Sequence, residues 1–86
     1  MSEDHLTNAA DAVTRAAEGT DTERAEALAE TLRSLADRAH GPDHGRLARI
    51  ENALVELREE ATEEASAALD EAKDHVEAYR EGVPGV

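Results

Sequence analysis

Apolar residues recur along this chain at steps of three and four, and most of them are small. Leu6, Ala9, Ala10, Val13, Ala16 and Ala17 mark one helical face, and Ala25, Leu28, Leu32, Leu35, Ala36 and Ala39 mark a second. A third begins at Leu47, Ile50, Leu54, Leu57 and Ala61, and continues through Ala65, Leu69, Ala72, Val76, Tyr79 and Val83. This is the period of an amphipathic helix, whereas a half-buried strand needs strict alternation. Such a chain can build a core only by laying helix on helix.

The punctuation between the faces agrees. A first helix over about 3–18 is expected to start at Ser2, with Glu3 and Asp4 in its first turn, and to stop at Gly19. Thr20 followed by Glu23 has the form of a capping box for a second helix over about 21–40, which Gly41-Pro42 ends. Asp43 is the expected cap of a third segment over about 44–81, closed by Gly82, Pro84 and Gly85. Within it the stripe steps by four from Leu57 to Ala61, to Ala65 and to Leu69, a stutter in the heptad. The pattern favours one continuous helix through that stutter; the alternative is a break with Thr62 as a new cap. Continuous, it would span nearly 60 Å at about 1.5 Å per residue.

The expectation is a single all-α domain over residues 1–86, an antiparallel helical bundle of three helices, or four if the last segment breaks near Thr62. Gly19-Thr20 and Thr62 lie almost equally far along the chain from Gly41-Pro42, so an antiparallel hairpin sets them side by side. In a second arrangement, the first two helices line up end to end against the third and two chains pair. Eighteen Ala and only 14 Leu, Ile and Val make a thin core for 86 residues. Chains this small often complete their cores by oligomerising, so a homodimer is expected.

Charge narrows the setting. Asp and Glu number 21 against eight Arg and one Lys, for a net charge of −12. Glu26/Glu30, Glu56/Glu60, Glu59/Glu63, Glu60/Glu64, Asp70/Asp74 and Glu77/Glu81 are like-charge pairs at i,i+4, whereas Asp11/Arg15 is the one acid-before-base pair at that spacing. Glu30/Arg33 and Glu77/Arg80 at i,i+3 soften the balance. Helices so loaded repel themselves in dilute buffer and gain from screening, which predicts a halophilic, salt-dependent fold.

Several functions are disfavoured. With no Cys there is no disulfide scaffold, Cys-based zinc site or Cys nucleophile. With no basic stripe and a single aromatic residue, Tyr79, nucleic acid is not an expected partner. No run approaches the roughly 20 apolar residues that cross a bilayer, so no membrane association is expected. Met1-Ser2-Glu3-Asp4 lacks the basic and apolar regions of a signal peptide, so cytoplasmic residence is expected. Phosphate loops, nucleophile elbows and the Glu-x-x-His pairs of di-iron sites are missing, and neither a cofactor nor enzymatic activity is expected.

The most distinctive stretch is His40-Gly41-Pro42-Asp43-His44-Gly45-Arg46-Leu47-Ala48-Arg49, where two Arg meet one Asp, while Glu51 to Glu81 carries 11 acids against three bases. Arg46 and Arg49, with His44, are the candidate anion-binding residues, beside free helix amides. The plainer reading is a turn whose Arg side chains pair with acids on neighbouring helices. A metal at His40, Asp43 and His44 is disfavoured because Gly41 and Pro42 break the helix that would present them together. Glu71, His75 and Tyr79 share a face at i, i+4, i+8, but Tyr79 belongs to the apolar stripe, so packing outranks acid–base chemistry there.

The string H-G-P-D-H-G-R-L-A-R at 40–49, N-A-L at Asn52–Leu54, L-R at Leu57-Arg58 and the ending Y-R-E-G-V from Tyr79 to Val83 resemble an uncharacterised family of small acidic haloarchaeal helical proteins. The resemblance covers roughly residues 25–86. It implies a helical fold and a salt-rich setting, and brings no site residues. The leading expectation is thus a non-enzymatic structural or protein-interaction module, with a possible further protein partner. An anion- or metabolite-binding module at the 40–49 turn is the alternative. A small helical enzyme of the chorismate mutase kind is disfavoured, because it needs a cationic pocket.

Overall fold

The computed structural model describes residues 5–36 and 44–82, with the side chain of His44 outside the description. Among these residues all regular structure is helical: α1 (His5–Ala16), a single 3-10 turn (Ala17–Gly19), α2 (Thr22–Ala36), α3 (His44–Glu59) and α4 (Glu63–Glu81). The Ser2, Asp43, His40 and Val83 expectations lie outside the described residues.

α1 is the inner helix. It packs against α2 on one side and α4 on the other; α3 rests on α4 and meets α2 only lightly. Six of its 12 residues are buried, namely Leu6, Ala9, Ala10, Ala12, Val13 and Ala16. Alanine is what makes this position possible, because small side chains let helix axes approach toward the short end of the 8–10 Å range. The expected faces are largely the buried ones. In α2, Ala25, Leu32 and Leu35 are buried; Ala29 joins them, Leu28 is half-buried and Ala36 is exposed. Leu47, Ile50, Leu54, Leu57, Ala65, Leu69, Ala72 and Val76 complete the core, with Ala61 and Tyr79 packed against it. Among the described residues every buried side chain is apolar.

The expectation of one continuous helix over 44–81 is corrected: the chain breaks at Thr62. The end of α3 tightens, with the Glu60 and Ala61 amides donating to the carbonyls of Leu57 and Arg58 at 3.2 and 3.1 Å. Thr62 is extended (φ −66°, ψ 170°), and its hydroxyl oxygen accepts the Ala65 amide. Its own amide, which in a continuous helix would bond to Arg58, donates instead to the carbonyl of Gly19 at 2.9 Å. The two breaks do sit side by side. Packing supplies the reason. A rod of nearly 60 Å would overshoot a molecule whose longest extent is 35 Å, leaving half its apolar stripe in water. Glu63 and Glu64 then fall in the first turn of α4, where negative charge is stabilised by the helix dipole.

The capping box at Thr20 is also corrected. The cap of α2 is Asp21, whose carboxylate accepts the Arg24 amide at 3.3 Å. Thr20 turns its hydroxyl outward from α2 and donates to the Leu57 carbonyl at 2.7 Å, satisfying an end of α3. Thr22 donates to Ala17 at 2.7 Å, closing the link between α1 and α2.

Candidate functional site

The light contact between α2 and α3 leaves a groove. Leu28 and Thr31 form its α2 wall, and Arg46, Arg49, Ile50 and Ala53 its α3 wall. The helical period dictates this arrangement. Leu47, Ile50 and Leu54 turn into the core, so Arg46, Arg49 and Ala53 fall on the flank beside it. Ile50 is buried at the floor, Leu28 and Ala53 are half-buried, and both arginines are exposed on the rim. Of the candidate anion-binding residues, the structure thus brings Arg46 and Arg49 together, one helical turn apart. The third, His44, has its side chain outside the described residues.

The opposite end of the same two helices has the opposite sign. Arg24 of α2 donates to Glu56 of α3. That hydrogen bond, followed by the charge of Glu56, raises the Arg24 pKa above the ordinary arginine value, with Asp21 and Glu60 adding to it.

Among the described residues, the arginines elsewhere reach across helices. Arg15 meets Glu71 at 2.9 Å, joining α1 to α4. Arg33 meets Asp11 at 3.1 Å, joining α2 to α1. Arg58 meets Asp70 at 2.9 Å and Arg80 meets Glu51 at 3.1 Å, both joining α3 to α4. The expected i,i+4 pair Asp11/Arg15 is thus split between two other helices. Like the plainer reading of the 40–49 arginines, this uses Arg as an interhelical tie.

The Glu71, His75 and Tyr79 face is likewise occupied by packing. Arg15, bonded to Glu71, holds that carboxyl below the usual carboxylate range, with a smaller contribution from His75. His75 lies 3.9 Å from Glu71, and its ring sits 6.0 Å from that of His5, centroid to centroid. Tyr79 is half-buried against the core. Among the described residues no three His, Asp or Glu side chains are grouped to hold a metal ion. No helix among them is long and apolar enough to cross a membrane.

The apolar spacing identifies Leu28 only as a core position, and nothing in the sequence alone assigns Thr31 or the acidic end at Arg24, Glu56 and Glu60 to a site. No spacing rule joins residues 28 and 49; only the packing of α2 beside α3 does.

A family of unknown function (DUF7553) matches residues 1–82. The chain belongs to that family. No curated protein and no solved structure matches it. The family membership covers α1 as well, which the resemblance over residues 25–86 did not, and it assigns no chemistry to the groove.

Proposed function

We propose that this chain is a non-enzymatic, cytoplasmic helical module that acts through its surface, folds as an antiparallel bundle, pairs with itself and is held folded by concentrated salt. The observation that supports it best is the α2–α3 groove, which joins an apolar floor of Leu28, Ile50 and Ala53 to a charged rim. Open grooves of this kind suit a helix surface, whereas small-molecule sites are concave, with convergent polar groups. The antiparallel arrangement is supported by the contact of Gly19 with Thr62 and of Thr20 with Leu57, which bring the two interruptions level.

The salt dependence rests on magnitudes. Exposed ion pairs contribute about 0–1 kcal/mol each, and of the interhelical arginine pairs named above all but the part-buried Arg80–Glu51 are exposed, so they offset little of the repulsion from a net charge of −12. At 1 M salt the Debye length falls to about 3 Å, shorter than the roughly 5–6 Å between Cβ atoms of residues on adjacent helical turns. Circular dichroism should therefore show helicity rising between 0.1 and 3 M KCl, and light scattering at the upper end should give twice the 9.2 kDa of one chain. Full helicity at 0.1 M, or a 9.2 kDa particle throughout, contradicts the corresponding part of the reading.

A second reading, a small-anion or metabolite site at Arg46, Arg49 and His44, is favoured by the placement of two exposed arginines on one rim. It predicts that phosphate, nucleotides or dicarboxylates shift the Arg46 and Arg49 amide resonances at constant ionic strength. A flat response to all three removes it.

A further inference from the structure

We propose that two copies of this chain pair through α3, antiparallel across a twofold axis beside Ala53, so that Arg46 and Arg49 of one copy face Glu60 and Glu56 of the other. This rests on the homodimer reading above and specifies its surface. Arg46, Arg49, Ala53, Glu56 and Glu60 step by 3, 4, 3 and 4, which places them along one flank of α3 and its terminal turn. Arg46, Arg49 and Ala53 border the open groove, and Glu56 and Glu60 continue the same flank beyond it. Measured from Ala53, the cations lie seven and four residues before it and the carboxylates three and seven after it. The charge along the stripe therefore reverses sign through its centre.

That antisymmetry selects the occupant. A uniformly acidic partner is attracted at Arg46 and Arg49 and repelled at Glu56 and Glu60, and a uniformly basic one meets the reverse. A partner with the same stripe running the other way is matched at both ends, and a twofold axis supplies such a partner from a second copy. A parallel pairing sets like on like. At the acidic end Arg24 of the same chain bonds to Glu56, and both Glu56 and Glu60 are exposed to an approaching partner. At the basic end, each guanidinium has five N–H donors, enough to engage a partner carboxylate alongside contacts within its own chain. Ala53 at the crossing point keeps the axes close, and the half-buried Leu28 lies beside the approaching helix. The charges set orientation and register more than affinity.

The test uses the full chain at the lowest salt that gives complete helicity, so that screening does not mask charge. Arg46→Glu and Glu60→Arg should each weaken dimerisation by about tenfold, because an isologous interface reverses two exposed contacts at once. The double variant Arg46→Glu/Glu60→Arg should recover to within about threefold of the unchanged chain, since both contacts re-form with their signs exchanged. Sedimentation equilibrium gives the dissociation constants, and circular dichroism confirms that each variant is folded. A dimer indifferent to the single changes, or a double variant no tighter than the singles, overturns this interface while leaving the homodimer intact. An unchanged chain that stays monomeric overturns the homodimer reading itself.

Discussion

Gly19→Ala should destabilise the fold by about 2–3 kcal/mol, within the range for forcing a methyl group into a filled space. A Cβ at position 19 would lie 2.6 Å from the Thr62 hydroxyl oxygen and 2.7 Å from the Ala65 Cβ. Neither neighbour yields easily. The Thr62 hydroxyl caps α4 by accepting the Ala65 amide at 3.1 Å, and the Ala65 Cβ is fixed to the first turn of that helix. Moving them also strains the 2.9 Å bond from the Thr62 amide to the Gly19 carbonyl. Glycine stands here for close approach; its φ is not positive. Gly82→Ala is the matched control, because among the described residues its Cβ would meet only the Tyr79 carbonyl, at 3.5 Å, and it should change stability by less than about 1 kcal/mol. In a double-mutant cycle, Thr62→Ala should recover part of the Gly19→Ala loss, because it removes one of the two clashing atoms and leaves Ala65. Urea denaturation at constant high salt measures all four variants beside the unchanged chain. A Gly19→Ala variant as stable as Gly82→Ala would show that the two breaks are not in contact.

Leu32→Ala should cost about 3 kcal/mol, in the range for emptying a buried leucine site. Leu32 is wholly buried on α2, among the largest side chains of the core. A chain of 86 residues at roughly 0.05–0.15 kcal/mol per residue has about 4–13 kcal/mol in all, so this one truncation removes a quarter or more. Leu28→Ala, one turn earlier and half-buried at the groove, should cost about 1 kcal/mol in the monomer, since less area leaves water there on folding. The comparison is read from denaturation midpoints at a protein concentration below the dimer dissociation constant. Equal losses at the two positions would mean that α3 covers α2 more fully than the groove allows.

Much of the fold was legible because a helix's buried face is a local matter. Leu6, Ala9, Ala10, Val13, Ala16 and Ala17 were named from spacing and are all buried. Leu47 through Leu57 and Ala65 through Val76 follow the same rule, since a 3.6-residue period and the exclusion of apolar surface from water suffice to choose the face. The stutter after Leu57 marked the right place for the break, and equal chain distance from Gly41-Pro42 paired that place with Gly19. The preference for a continuous helix failed because helix propensity favours continuity, whereas a bond from Thr62 to Gly19 is a long-range contact that no local window contains.

The capping of α2 failed for a related reason. Thr20 and Asp21 are both good caps by chemistry, and the Leu57 carbonyl decided between them by taking the Thr20 hydroxyl. The site divides in the same way. Arg46 and Arg49 stood out as a local cationic excess in an acidic chain, but the groove they border, and its opposite end at Arg24 and Glu56, came into view only with α2 laid beside α3. Periodicity and charge specify which side of each rod seeks its neighbours, because both act between residues a turn apart. Which rods become neighbours, where the last one must end, and which carboxylate each arginine reaches depend on fitting all four together, because those contacts join residues 12 to 56 positions apart.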